Sequence, residues 1–388
     1  MTAFAARDAA AFDGVRLRRV QAQVYRYPVD TPVRTSFGIM RDRPALFVRI
    51  EDEDGFTGWG EVWCNFPACG AEHRARLLDS VFAPMLEART FADPIEVFDD
   101  LTRRTAVLAI QAGEPGPLNQ CIAGIDIALW DLVARRVGQP LWRLLGGSDP
   151  KVRVYASGIN PDAPAELAVK LRAEGYRAFK LKVGFGESCD VENLRALRSA
   201  LGEDCVLMAD ANQAWTLTSA LAIGAKLRAF GLEWLEEPLR ADRPWAQWRA
   251  LADAMGIPLA AGENLAGEDA FAAALDSQAL RVVQPDVAKW GGISGCLPVA
   301  RKIIQSGARY CPHFLGAGVG LLASAHLLAA AGGDGMLEVD ANPNPLRSLT
   351  CGPLTKVTEG VARLSDASGL GCSPDDALRD YATSHATP

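Results

Sequence analysis

The sequence predicts an α/β protein built on a (β/α)8 barrel, preceded by a separate α+β domain. Three observations predict it. From residue 152 onward, short β-rich runs alternate with helical patterns in eight successive strand–helix units. Strict alternation argues for a parallel sheet, and eight units argue for a closed barrel. Polar side chains also recur at the C-terminal ends of seven of these strands, 23 to 28 residues apart. Residues 15–140 instead run strands first and helices afterwards, the order of an α+β unit.

In residues 15–140, Val15–Val29, Ala45–Glu51 and Phe56–Val62 have strand composition, and Asp54-Gly55 is a hairpin signal between the last two. Ala71–Ala88, Ile95–Ile110 and Ile122–Val137 carry helical patterns; in the third, Ile122, Ile125, Leu129, Leu132 and Val133 recur at helical spacing. Residues 150–351 hold the barrel strands Val152–Tyr155, Ala178–Val183, Val206–Ala209, Leu232–Leu235, Pro258–Ala261, Arg281–Gln284, Arg309–Pro312 and Gly335–Val339. Residues 352–388 form a tail, rich in turn residues, that is expected to pack back on the first domain. Residues 1–14 read as a loose end.

The 388 residues are 49% hydrophobic and 22% charged, which excludes a disordered chain, a collagen and a disulfide miniprotein. A net charge of −7 without a long Lys/Arg run argues against nucleic acid or an anionic membrane as main partner. Nine cysteines, an odd count with no C-x-x-C pair, fit reduced thiols rather than a disulfide framework. The first twenty residues lack a continuous apolar core, so no secretory signal is read there. Gly318–Gly333, the most apolar stretch, is shorter than the ~20 residues that span a bilayer. A cytoplasmic protein is expected.

The polar strand ends are Lys180 and Lys182, Asp210, Glu236, Glu263, Asp286, His313 and Glu338. In a barrel these side chains converge on one mouth, where such barrels hold their active sites. Asp210, Glu236 and Glu263 come from successive strands. Three converging carboxylates repel one another unless a cation sits between them, and all-oxygen ligation suits Mg2+ or Mn2+. Glu237 competes with Glu236, since strand alternation lets one of the two point inward. Lys180 and Lys182 share a strand face. Their mutual repulsion, with a nearby dication, is expected to lower a lysine pKa and make a neutral amine available as a base. His313 follows a strand end, and Asp286 ends the preceding strand, so the carboxylate can fix the imidazole tautomer. His326 lies in an apolar helix and reads as packing.

Together these residues resemble the enolase superfamily and, within it, the mandelate racemase group. The matching motifs are Lys180-Leu-Lys182, Asp210-Ala-Asn212, Glu236-Glu-Pro238, Gly262-Glu263-Asn264, Gln284-Pro-Asp286, Pro312-His313 and Leu337-Glu338. Gly124-Ile-Asp-Ile-Ala-Leu-Trp130-Asp131 and the run from Gly138 to Gly147 match in the first domain. The resemblance implies a modified TIM barrel, capped by the α+β domain together with the C-terminal tail. It implies Mg2+ on Asp210, Glu236 and Glu263, and Lys182 as one base with Lys180 near the substrate carboxylate. His313 with Asp286 becomes the second acid/base, and Glu338 hydrogen-bonds the substrate, with Asn212 and Asn264 as further contacts. In this group the capping-domain loops set substrate choice; here these are Thr31–Arg43 and Trp63–His73, with Arg34 and Trp63 foremost and Arg41, Arg43, Asn65 and His73 beside them. A homo-oligomer is implied as well.

The chemistry implied is removal of the proton α to a carboxylate, giving an enediolate whose charge Mg2+ and the lysines offset. A lysine or histidine base working beside Mg2+ is the arrangement this superfamily uses for such a step. If the second group protonates a β-hydroxyl, a sugar acid (aldonate or aldarate) is dehydrated to a 2-keto-3-deoxy acid. If it returns a proton to carbon, a 2-hydroxy acid is racemised or epimerised. The stretches Pro312–Val319 and Asn342–Arg347 resemble acid-sugar dehydratases and sugar-lactone cycloisomerases, so dehydration is favoured. Two rival classes fare worse. An NAD-dependent oxidoreductase would need a third glycine at 321 after Gly316-Ala-Gly318-Val-Gly320, but Leu321 stands there. Those glycines are expected instead to admit substrate at a helix N-terminus. A non-catalytic binding protein predicts a broken constellation, whereas every expected position is filled.

Overall fold

The computed structural model describes residues 14–34, 38–378 and 381. Apart from Gly14, the expected loose end at residues 1–14 therefore lies outside the described residues, as do Thr35–Phe37 at the tip of the first expected loop.

Strands β1 (Val15–Arg34), β2 (Ile39–Asp52), β3 (Thr57–Val62) and β4 (Thr90–Phe91) form an antiparallel sheet in the order β3-β2-β1-β4. β1 and β2 pair from Leu17↔Asp52 to Arg34↔Ile39, with a shift between Pro28 and Val33. The expected loop at 31–43 is thus the end of a long hairpin, which the mixed charge of the segment concealed. The helix Pro94–Ala112 starts where expected: the Asp93 carboxylate accepts the Glu96 N–H at 2.8 Å, and Pro94 occupies a first-turn position that needs no N–H. The expected helix at 71–88 is broken by a π-turn at Leu78–Phe82, beside Pro84, which has no N–H to give Ser80. The third helix runs Pro115–Val137 and begins seven residues before the expected start, because its prolines fall in the first turn, where they are tolerated. It is buried from Leu118 to Ala134 almost without interruption, since it lies between the sheet and the barrel. Its approach to β3 needs glycines: a Cβ on Gly60 would lie 1.9 Å from the Gly124 carbonyl oxygen.

The barrel strands are β5 (Lys151–Ile159), β6 (Ala178–Lys182), β7 (Val206–Asp210), β8 (Leu235–Glu236), β9 (Leu259–Ala261), β10 (Val282–Val283), β11 (Arg309–Tyr310) and β12 (Leu337–Asp340). Their ladders are parallel, in the order β11-β10-β9-β8-β7-β6-β5-β12. Among the described residues no ladder joins β11 to β12. Closure comes from side chains: Tyr155, Ala178, Met208, Trp234, Ala260, Val282, Cys311 and Met336, one from each strand position, form a single apolar cluster inside the ring. The Met336 N–H also meets Cys311 Sγ at 3.4 Å.

Seven strands are followed by crossover helices, among them Gly292–Gln305 after β10 and Gly318–Ala331 after β11. The expected eighth unit is truncated: β12 is followed by the six-residue helix Pro345–Thr350. The chain then adds β13 (Val361–Arg363) antiparallel to β5, so the tail first extends the barrel sheet. It next reaches the first domain, where the Leu370 N–H donates to Asp131 at 2.6 Å and Arg135 to the Cys372 carbonyl at 2.5 Å. Among the described residues no helix is long and apolar enough to cross a membrane.

His326 does more than pack. Its Nδ1 accepts the Trp142 N–H at 2.9 Å within a fully buried helix, and burial pushes the imidazole down to about 3 from its ordinary 6.5. As pH falls below 6.5 the unfolded chain takes up a proton that the folded chain refuses until about 3. Stability therefore drops across that window, by up to about 1.4 kcal/mol per pH unit. His326→Gln is expected to flatten this acid limb in denaturant unfolding measured over the same pH range; an unchanged slope contradicts the assignment.

Candidate active site

The C-terminal ends of the barrel strands gather the residues the sequence singles out. Lys180 and Lys182 occupy one face of β6. Lys180 is fully buried, with Nζ 2.6 Å from Glu236, 2.7 Å from Glu338 and 3.8 Å from Asp210. Lys182 Nζ lies 2.6 Å from Asp210. Burial alone would lower both lysines, but Glu236 and Glu338 around Lys180, and Asp210 beside Lys182, outweigh it and hold both above the usual value. The repulsion expected between the two lysines is thus outweighed: carboxylates, not the second ammonium, are the nearest charges.

Asp210 is oriented by the Asn212 N–H at 2.8 Å and the Asn212 Nδ2 at 3.2 Å. Glu236 accepts from Gln284 at 2.6 Å, and burial pushes its carboxyl up to about 7 against the pull of Lys180. Glu237 does not point away, as alternation required. The strand ends at Glu236 and Glu237 turns to φ 39°, so both carboxylates are buried at the mouth. Asn264 donates to Glu237 at 2.8 Å and to Glu263 at 3.0 Å. Glu263 itself pairs with His313 Nε2 and lies 3.5 Å from Lys289. Burial would raise the Glu263 carboxyl, but the His313 and Lys289 charges pull it well below the usual range.

His313 Nδ1 stands 2.6 Å from Asp286, whose other oxygen accepts the Ala288 N–H at 2.8 Å. Burial opposes the imidazolium, yet Glu263 and Glu338 raise the His313 pKa well above its usual value. Glu338 is held by Lys180, Ser157 and the Phe314 N–H.

Among the described residues, no group of three or more His, Cys, Asp or Glu side chains is arranged to hold a metal ion. Each carboxylate is turned to a cation: Asp210 to Lys182, Glu236 to Lys180, Glu263 to His313. Two features nonetheless fit a hard dication. With all six carboxyls ionised (Asp210, Glu236, Glu237, Glu263, Asp286, Glu338), as ligation of a dication would favour, and His313 charged, they face four cations (Lys180, Lys182, Lys289, His313), and a dication would balance the two remaining negative charges. Glu237 Oε2 is also buried without a partner, and burial followed by the Glu263 charge drives the Glu237 carboxyl far up.

The capping residues divide. Trp63 is half-buried at the mouth, with Lys289 Nζ 4.8 Å from its ring centre. Asn65 donates to the Leu315 carbonyl at 2.6 Å. Arg43, 1% exposed, is bound to Asp340 at 2.5 Å; Arg41 is exposed; His73 pairs with Glu114 at 3.1 Å. The side chain of Arg34 lies outside the described residues. The helix N-terminus after Gly316 is not open to substrate as expected, because the Glu61 carboxylate accepts the Ala317 and Gly320 amides. Lys289, Ser157 and Glu61 carry no signal that singles them out in the sequence, and Gln284 stands there only inside a motif, without a role. Ser157 is hidden because β5 continues through Ala156-Ser157-Gly158, which lacks β-branched residues.

A capped barrel with lysines, carboxylates and a carboxylate-bound imidazole at its mouth defines a class of enzyme that handles protons next to buried charge. Two family models match this chain, the enolase C-terminal domain-like model over residues 163–378 and the mandelate racemase/muconate lactonizing enzyme N-terminal domain over residues 18–146. The chain belongs to the mandelate racemase group of the enolase superfamily. A solved mandelate racemase/muconate lactonizing enzyme from Bordetella bronchiseptica RB50 is 58% identical, with a TM-score of 0.90 over 95% of this chain and 99% of that one. D-galactarolactone cycloisomerase of Agrobacterium fabrum is 31% identical over 384 residues, 95% of this chain and 99% of the relative. A solved L-talarate/galactarate dehydratase variant, liganded with Mg and L-glucarate, is 30% identical, with a TM-score of 0.84 over 97% of this chain and 94% of that one.

Proposed function

We propose that this enzyme removes the proton α to the carboxylate of a sugar acid, and that it dehydrates an aldonate or aldarate to a 2-keto-3-deoxy acid. The observation that carries the reading is a pair of proton carriers on different sides of one mouth: Lys182 on β6 and His313 beyond β11, each held by a carboxylate. Asp210, Glu236 and Glu263 would hold Mg2+, or Mn2+ on the same oxygen donors. When bound, the ion supplies fixed positive charge against the charge that develops on the enediolate. Lys180, at the base of the mouth, adds positive charge beside the substrate carboxylate. Asp210, on turning to the ion, would release the Lys182 ammonium it now holds, and Lys182 as the neutral amine would take the α-proton. His313, oriented by Asp286, delivers a proton to the departing β-hydroxyl, and Glu338 holds a substrate hydroxyl between the two. Asn212 and Asn264 fix the acidic residues, Trp63 covers the mouth from the cap, and Arg34 is proposed as a substrate contact from its place in the sequence alone. Proton transfer by each group contributes roughly 10²–10⁴-fold.

The relatives' activities support acid sugars as substrates, since one is named for galactarolactone and another is liganded with L-glucarate. Lactone cycloisomerisation, the second reading, uses the same first step and is supported by the likeness to the cycloisomerase over 384 residues. A panel of aldonates, aldarates and their lactones, incubated with enzyme and Mg2+, distinguishes them. Release of a 2-keto-3-deoxy acid from at least one acid is expected. Lactone opening alone selects the second reading, and an inert panel contradicts both.

A further inference from the structure

The cap reaches past the mouth and grips the segment that carries His313. Glu61, the fifth residue of β3, is buried, and its two oxygens accept the Ala317 N–H at 2.5 Å and the Gly320 N–H at 2.8 Å. These amides belong to the start of the helix Gly318–Ala331, whose first-turn N–H groups have no acceptor of their own. Between them and His313 the cap ties the chain once more, by Asn65 Nδ2 to the Leu315 carbonyl at 2.6 Å, and the barrel twice, by the Phe314 N–H to Glu338 at 3.3 Å and Asn344 Nδ2 to the Gly316 carbonyl at 3.0 Å.

The glycines of this stretch fit that role. A Cβ on Gly316 would lie 2.6 Å from Glu61 Oε1, and one on Gly320 would strike the Phe314 ring at 2.3 Å. Gly316 therefore makes room for the Glu61 carboxylate, and Gly320 for the Phe314 ring. The grip also extends to the other half of the imidazole pair. The Trp63 N–H donates to the Ala288 carbonyl at 3.3 Å, two residues after Asp286. Asp126, on the long cap helix, accepts the Ile293 and Ser294 amides at 2.6 and 3.0 Å, at the start of the helix that follows Asp286.

We infer that Glu61, assisted by Asn65, is a positioning residue for the His313 acid/base: the cap sets the imidazole as well as covering the mouth. This rests on the proposed role of His313. Lys182, on β6, is held by Asp210 and, among the described residues, has no such tie, so the two proton carriers depend on the described part of the cap unequally.

That inequality is the test. Wild type, Glu61→Gln, Asn65→Ala and His313→Asn are loaded with Mg2+ and compared on the acid sugar the panel identifies. Turnover, KM, α-deuterium exchange in deuterated water and the unfolding midpoint are measured for each. Gln offers one acceptor oxygen for two amides and turns an N–H against the other. Glu61→Gln is expected to lose about 100-fold in kcat, the scale of a ~1 Å misplacement, with KM little changed. Its α-deuteration, carried by Lys182, should persist as it does in His313→Asn. In the metal-free protein, the downfield imidazole N–H signal that His313→Asn removes should weaken as well; with four histidines in the chain it is assignable. Wild-type turnover in Glu61→Gln overturns the inference, and so does a loss in which exchange falls in step with turnover. Should Glu61→Gln not fold, the same split in Asn65→Ala decides. Full turnover in His313→Asn instead removes the proposed function on which the inference rests.

Discussion

Lys182→Ala is expected to turn over its substrate at least about 10²-fold more slowly than wild type, and as much as 10⁴-fold, the range that a positioned proton carrier contributes. The amine sits 2.6 Å from Asp210 at the open end of β6, and alanine leaves nothing in its place. Lys180 cannot substitute. It lies two residues deeper on the same face, is fully buried, and is already bound by Glu236 and Glu338. Because the group is removed rather than mistuned, a change of pH should not restore the rate. Steady-state kinetics across the pH range in which the variant stays folded check this. A wild-type rate at any pH removes Lys182 from the mechanism.

Glu263→Gln is expected to weaken Mg2+ binding by more than the roughly 10–100-fold that loss of an outer-shell partner produces. The substitution removes one of three proposed oxygen anions while keeping nearly the same volume. It also removes the charge that Lys289, at 3.5 Å, and His313 now share. Those cations then sit nearer the proposed metal site with less compensation, which lowers affinity further. Calorimetric titration of both proteins reads the difference directly. Equal dissociation constants would take Glu263 out of the proposed ligand set.

The barrel was legible because its signals are local and repeated. Short β-rich runs alternate with helical ones, and a polar residue closes seven of the eight strands, so the ends of β6 to β12 stand out in the sequence itself. The His313–Asp286 pair, 2.6 Å apart, followed from two strand ends one unit apart. What stayed hidden lies in long-range or irregular geometry. Arg43 reads as a loop charge, yet it pairs with Asp340, 297 residues away. Glu61 meets Ala317 across 256 residues, and nothing in the local pattern of β3 announces it. Alternation failed at Glu237 because the chain leaves strand geometry there, at φ 39°. The spacing of Lys180 and Lys182 brings two ammonium groups together, and nothing local in the sequence says that Glu236, Glu338 and Asp210 surround them. The eighth unit failed because a strand after the seventh helix does not oblige the chain to form another.

In the proposed reaction, buried carboxylates, a metal ion and two proton carriers act together on a carbon-bound hydrogen. Proton NMR of an acid sugar incubated with the enzyme in deuterated water tests it most directly, run once with Mg2+ and once after chelation. The α-hydrogen signal should disappear with Mg2+ present, in the substrate or its product, and should persist once the metal is removed. Retention of that hydrogen through turnover, or its loss at the same rate with the metal chelated, would contradict the account.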